Sequence, residues 1–176
     1  MTPISIELAE SEHLSAIPAI ELAASALFPE VDVPLENRYC VTEDELLREA
    51  QSDARLWVAL TGDRIPVGFA MADFVDGGAH LDQMDVIPDF GRQGIGTHLV
   101  RTLIDWARSG DYPVITLITF RHLPWNAPFY EKLGFEAMAS SELGAELAGL
   151  LKAEGEAGID VRRRICMQLD LTQAGK

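Results

Sequence analysis

The amino-acid sequence predicts a single α/β domain spanning residues 1–176, with strands and helices alternating along most of its length. Three observations carry this. Between Leu56 and Val86, strand-like segments follow one another across short turns. Directly after the last of them, a helix opens on two glycines, Gly94 and Gly96. Further on, Val114–Phe120 is apolar enough to form a strand buried on both faces. A chain of 176 residues, 48% apolar, can bury a sizeable core in one domain.

The elements follow in order. Ile4–Leu8 alternates polar and apolar residues and reads as a first strand. Ser11–Leu27 reads as helical, interrupted near Pro18, with Ser11 as its cap. Residues 28–39 carry two prolines and mixed polarity, and read as a loop. Thr42-Glu43-Asp44-Glu45 has the form of a capping box opening a helix that runs to Ser52. Leu56–Thr61 and Val67–Val75, joined at Gly62-Asp63-Arg64, make a hairpin; Gly77-Gly78 then turns the chain into His80–Val86. The helix Gly94–Arg108 places Leu99, Leu103, Ile104 and Ala107 on one face. After Val114–Phe120, Asn126 caps a short helix that Gly134 ends. Ser140–Glu156 is amphipathic, and Arg162–Leu171 is the closing strand.

Composition narrows the function classes. The net charge is −14, from 28 acidic against 14 basic residues. Such a surface argues against non-specific nucleic-acid binding, which needs cations to displace counterions. No apolar run is long enough for a membrane span. The N-terminus lacks the basic-then-apolar order of a secretory signal. Cys40 and Cys166 lack metal-ligand spacing and read as two reduced thiols of a cytoplasmic protein. The four histidines are scattered, so no metal site is expected.

Chemistry concentrates in two segments. In Asp85-Val86-Ile87-Pro88-Asp89-Phe90-Gly91-Arg92-Gln93-Gly94-Ile95-Gly96-Thr97, a strand passes through a short loop into a helix. Glycines there let the backbone approach a bulky anion, the unpaired N–H groups of a helix start bind it, and Arg92 adds a positive charge. The second segment is Trp125-Asn126-Ala127-Pro128-Phe129-Tyr130-Glu131-Lys132-Leu133-Gly134-Phe135. In this order and spacing the two segments resemble motifs A and B of the GNAT-superfamily N-acetyltransferases, over residues 56–135.

The resemblance implies a mixed, mostly antiparallel sheet of about seven strands flanked by helices, splayed between strands 4 and 5. It implies acetyl-CoA as the acyl donor, with the pantetheine arm held by main-chain groups of Met84, Asp85 and Val86. The pyrophosphate would lie on the backbone N–H groups of Arg92, Gln93, Gly94, Ile95, Gly96 and Thr97. Asn126 would contribute to the cofactor site, and Tyr130 would protonate the leaving thiolate. An unperturbed phenol, with a pKa near ~10, holds its proton at neutral pH and can donate it. For the base, counting back along the strand places His80 where some relatives carry a glutamate; Asp82 shares its side of the strand. The chain departs from the family pattern at three points. Gly91 stands where many relatives carry Gln or Arg, Leu123 where they carry Asn, and Ile118 where others carry a catalytic glutamate.

The expected activity is transfer of an acetyl group to a primary amine of a small molecule or peptide, by direct attack in a ternary complex. The alternative is a catalytically idle domain that binds acyl-CoA as a sensor or structural ligand. A dinucleotide-binding domain is disfavoured, because the glycine order differs from G-x-G-x-x-G. Homodimers are frequent in the family, but the sequence shows no heptad or exposed apolar stripe that would specify one.

Overall fold

The computed structural model describes residues 3–34, 37 and 41–172. Seven strands form one sheet in the order β1-β2-β3-β4-β5-β7-β6. In chain order they are Ile4–Leu8, Leu56–Thr61, Pro66–Val75, Gly78–Val86, Val114–Phe120, Glu136–Ala137 and Arg164–Asp170. Among the described residues five α-helices accompany them: α1 (Ile17–Ser25), α2 (Asp44–Ser52), α3 (Ile95–Ser109), α4 (Ala127–Glu131) and α5 (Ala145–Glu156). The chain divides into two compact units, Met1–Asp73 with Asp82–Leu103, and Phe74–Leu81 with Ile104–Lys176. The short β6 is the one strand that the sequence pattern missed. Two residues are too few to show a period of two.

In the first unit, β1 runs antiparallel to β2, with Ile4 opposite Thr61, and β2 runs antiparallel to β3, with Leu56 opposite Met71. The expected hairpin is present, its turn carrying Arg64 at φ 61°. Ile17 and Ile20 of α1 and Leu47 and Ala50 of α2 pack with Leu56, Val58, Leu60, Phe69 and Met71 into one apolar cluster. Arg55 is buried. Its Nη1 donates to the Ala72 carbonyl (2.7 Å), and its Nη2 lies 3.1 Å from Asp53. A buried guanidinium is tolerated only with such partners.

Two helix starts differ from expectation. Residues 11–16 form a 3₁₀ turn before α1, and Glu10 rather than Ser11 occupies the cap position. There the His13 Nδ1 accepts from the Glu10 N–H at 3.0 Å. Thr42 caps nothing, because Glu43 holds the N-cap position of α2. The Thr42 N–H and hydroxyl instead donate to the buried Glu21 carboxylate, the hydroxyl at 2.5 Å. A carboxylate is the stronger acceptor, so the long-range bond replaces the local cap. Of the loop expected at 28–39, residues 35, 36, 38 and 39 lie outside the described residues, as does Cys40 after it.

In the second unit, β5 pairs antiparallel with β7 along its whole length, from Val114 opposite Asp170 to Phe120 opposite Arg164. The parallel β4–β5 ladder covers Ala79–Leu81 against Ile115–Leu117. Gly78 is required beside β5, since a Cβ there would sit 2.7 Å from a Val114 methyl. Cys166 is buried with a free thiol, packed with Val75, Leu147 and Ile118. Phe74, Trp106 and Tyr112 stack together, with centroids 5.4–6.1 Å apart.

Helix α5 starts later than expected, after a separate 3₁₀ turn at Ser140–Glu142. Its N-terminus is held from a distance. Asp76 accepts from the Glu146 and Leu147 N–H groups, both at 3.0 Å, and its own N–H donates to the Glu146 carboxylate. Gly144 leaves room for this, since a Cβ would fall 2.2 Å from the Asp76 carboxyl carbon. Asp76→Ala removes both acceptors and is expected to cost about 1–2 kcal/mol. Urea denaturation checks it; an unchanged midpoint and slope would show that water replaces the carboxylate without loss.

Candidate active site

The first unit holds the loop that leads into α3. Pro88–Phe90 makes a 3₁₀ turn, closed by Phe90 N–H to Ile87 and Gly91 N–H to Pro88 carbonyls. The chain then takes left-handed backbone at Arg92 (φ 57°) and Gly94 (φ 85°). The first helical hydrogen bond of α3 runs from the His98 N–H to the Gly94 carbonyl. The N–H groups of residues 92–97 therefore precede the hydrogen-bonded helix and have no carbonyl partner among the described residues. Left-handed residues alternating with ordinary ones turn successive N–H groups inward as an anion nest. A side chain at Gly94 would meet nothing within 4 Å, so the space above it is open. Arg92 is exposed and forms no ion pair among the described residues. The Thr97 hydroxyl is likewise without a hydrogen bond there.

The C-terminal half of β4 leads into this loop. Met84, Asp85 and Val86 are half-buried. Gly68 on β3 admits their backbone, because a Cβ there would lie 3.0 Å from the Asp85 carbonyl oxygen. The Asp85 carboxylate accepts from Gln83 Nε2 at 2.6 Å. Burial pushes Asp85 up to about 7, against the pull of the Gln83 hydrogen bond and with help from the Glu21 charge. Asp82 is exposed at its surface yet crowded by protein on its inner side. Desolvation and the neighbouring Asp73 raise it to about 6, Arg55 counters this, and Glu21 adds to it.

His80, in the second unit, is buried at 3% exposure. It stands opposite Thr116 in the parallel ladder, and its Nδ1 is 2.8 Å from the Thr116 hydroxyl. Tyr130 sits in α4, 7% exposed, its ring edge-on to Phe129 and Phe135 at 5.0 and 5.8 Å. Gly134 follows at φ 94°, and the Phe135 N–H closes back on the Tyr130 carbonyl.

Asn126 occupies the N-cap position of α4, but its side chain makes no capping bond. The backbone there (φ −110°, ψ −111°) lies outside the extended region that aims a cap at the helix N–H groups. The amide instead reaches back to β5, where Nδ2 donates to the Thr119 hydroxyl at 2.7 Å. That leaves Oδ1 buried without a hydrogen bond. An unmet buried acceptor costs about 1–3 kcal/mol, which makes this atom a ready ligand contact. Leu123 is a buried core residue.

Sequence reasoning did not single out Thr116, Thr119 or the side chain of Asp85. The two threonines acquire meaning only from strand register and from the loop that brings Asn126 back to β5. The Asp85 signal was available: a carboxylate at the end of a strand, two residues from a Gln on the same face. Among the described residues no group of His, Cys, Asp and Glu is arranged to hold a metal, and no helix is long and apolar enough to cross a membrane.

Comparison with known proteins agrees with this architecture. The acetyltransferase (GNAT) family model matches residues 19–135. The peptidyl-lysine N-acetyltransferase YjaB of Salmonella typhimurium strain LT2 is 33% identical over 109 residues, covering 62% of this chain and 69% of its own. Its Escherichia coli K12 counterpart is 29% identical over the same length, covering 62% of this chain and 68% of its own. Among solved structures, the ribosomal-protein-S18-alanine N-acetyltransferase of Escherichia coli superposes with a TM-score of 0.68 at 21% identity, covering 99% of this chain and 97% of its own. The PaiA N-acetyltransferase of Thermoplasma acidophilum, solved with coenzyme A, gives 0.67 at 16%, covering 96% of this chain and 99% of its own. With two thirds of its length matched by the family model and its fold shared with solved acetyltransferases, this chain belongs to the acetyltransferase (GNAT) family.

Proposed function

We propose that this protein transfers the acetyl group of acetyl-CoA to a primary amine of a peptide or small molecule, by direct attack in a ternary complex. The observation that carries this reading is the run of unpartnered N–H groups at residues 92–97, with left-handed Arg92 and Gly94 among them. Six adjacent donors and one free guanidinium match a pyrophosphate, which offers several anionic oxygens within a short span. The likeness to peptidyl-lysine acetyltransferases supports an amine acceptor.

Acetyl-CoA is here a substrate, consumed at each turnover. Main-chain groups of Met84, Asp85 and Val86 grip its pantetheine arm. Direct attack requires a deprotonated amine, donors for the developing oxyanion, and a proton for the departing thiolate. Tyr130 supplies that last proton. Its ring is locked between two phenylalanines, which fixes the direction of its hydroxyl. Asp82 and His80 are the side chains on β4 expected to receive the amine proton. Asp82 is exposed and raised in pKa, whereas His80 is buried with one ring nitrogen already engaged by Thr116.

Calorimetric titration with acetyl-CoA, using dephospho-CoA and NAD as controls, tests the reading. Selective micromolar binding (about −8 kcal/mol) is the expected result. If folded protein binds none of the three, the site assignment is wrong; if it binds acetyl-CoA but releases no thiol with any amine, the domain is an acyl-CoA sensor.

A further inference from the structure

We infer that Thr119 is a positioning residue: through Asn126 it fixes where the Tyr130 hydroxyl stands. This rests on the acetyl-transfer reading above and deepens it. Every group involved belongs to the second unit. Thr119 is buried at 3% exposure on β5, a strand paired with β7 along its whole length, so its hydroxyl is a fixed point. The Asn126 amide reaches that hydroxyl at 2.7 Å, across seven residues of chain.

Helix α4 depends on this tie. Its five residues are too few to hold a helix by themselves. An N-cap side chain ordinarily accepts from the second or third helical N–H. Here the second residue is Pro128, which has no N–H. The third, Phe129, already donates to the Asn126 carbonyl at 2.8 Å. The amide is thereby released from capping and binds the sheet instead. The Tyr130 N–H also donates to the Asn126 carbonyl, at 3.2 Å. Asn126 thus joins the helix by its main chain and β5 by its side chain.

The tyrosine has little other freedom. Edge-on contacts with Phe129 and Phe135 set its ring relative to α4. Where the hydroxyl stands is then decided by where α4 sits on β5. The buried Oδ1 without a hydrogen bond is the cost of this arrangement. Turning the amide over would let the hydroxyl donate to Oδ1 and leave Nδ2 unmet, so the tie and its cost survive either orientation. A proton donor misplaced by about 1 Å loses up to about 100-fold in rate, which is what the tie guards against.

The test follows thiol release at saturating acetyl-CoA, with poly-L-lysine as the amine, in wild type, Thr119→Val, Thr119→Ser, Tyr130→Phe and the double variant Thr119→Val with Tyr130→Phe. Valine has the shape of threonine and suits a strand, so only the hydroxyl is lost. Thr119→Val is expected to lower kcat about 10-fold with acetyl-CoA affinity unchanged, and Thr119→Ser to restore most of it. In the Tyr130→Phe background the same change should cost less than about 2-fold, because no hydroxyl remains to be misplaced. Losses that multiply in the double variant overturn the inference. So do a wild-type kcat in Thr119→Val, a raised Kd for acetyl-CoA, or a Thr119→Ser no faster than Thr119→Val. Asn126→Ala breaks the tie from its other end and replaces Thr119→Val if that variant does not fold. A second readout needs no turnover. Hydrogen exchange at the Phe129 and Tyr130 amides should speed up about 10-fold in Thr119→Val, with the β5–β7 ladder unaffected. Unchanged exchange at those two amides overturns the inference as well. Wild type that neither binds acetyl-CoA nor releases thiol brings down the acetyl-transfer reading itself, and Tyr130→Phe at the wild-type rate removes the acid; the inference falls with either.

Discussion

Gly94→Glu is expected to abolish acetyl-CoA binding while leaving the protein folded. A Cβ at this position meets nothing within 4 Å, so the substitution creates no clash with the protein itself. Two costs remain. Left-handed backbone at φ 85° disfavours a residue with a side chain by about 1–2 kcal/mol. The larger cost falls on the ligand, because the new carboxylate projects into the open space over the N–H groups of residues 92–97. Two negative charges about 4 Å apart near a protein surface repel by roughly 4 kcal/mol at most. That repulsion alone raises Kd by up to about 1,000-fold. Gly94→Asn is the control: asparagine tolerates the left-handed region and adds no charge. Calorimetry on both variants separates the causes. Near-normal binding by Gly94→Asn with none by Gly94→Glu locates the pyrophosphate at this loop, and normal binding by both would move it elsewhere.

Tyr130→Phe is expected to lower kcat by about 100-fold or more, the usual range for losing a positioned general acid. The contacts with Phe129 and Phe135 are made by the ring, which phenylalanine keeps. Acetyl-CoA affinity and thermal stability should therefore change little. The comparison is made under saturating acetyl-CoA, so that kcat reports the chemical step and release. A variant that turns over at the wild-type rate would show that the thiolate takes its proton from solvent. A variant with intact kcat but raised KM would make the tyrosine a binding residue.

How much of this was legible in the sequence depended on the range of the interaction concerned. Val114–Phe120 matched its strand to the residue, because a segment buried on both faces writes its burial directly into composition. The junction at Gly94 was equally plain: the left-handed position there falls on a glycine, and glycine is what such backbone favours. Arg92 takes the same conformation without a glycine, so its role in shaping the loop could not be read from residue type.

Local capping rules failed where a distant group competed. Thr42 and Asn126 both carried the right residue types for caps, yet Glu21 claims the first and Thr119 the second, 21 and 7 residues away in sequence. The start of α5 is satisfied by Asp76, 70 residues before it.

By itself, then, the sequence determined the order of the elements apart from β6, the two motifs and the family they belong to. Each depends on residues adjacent or one helical turn apart, where periodicity, turn chemistry and spacing act directly. The tertiary structure decided which polar groups meet: His80 with Thr116, Asn126 with Thr119, and Gln83 with an Asp85 held against Gly68. Strand register and the desolvation that raises Asp82 and Asp85 arise only once distant segments pack, because burial is a property of the folded neighbourhood and not of the residue.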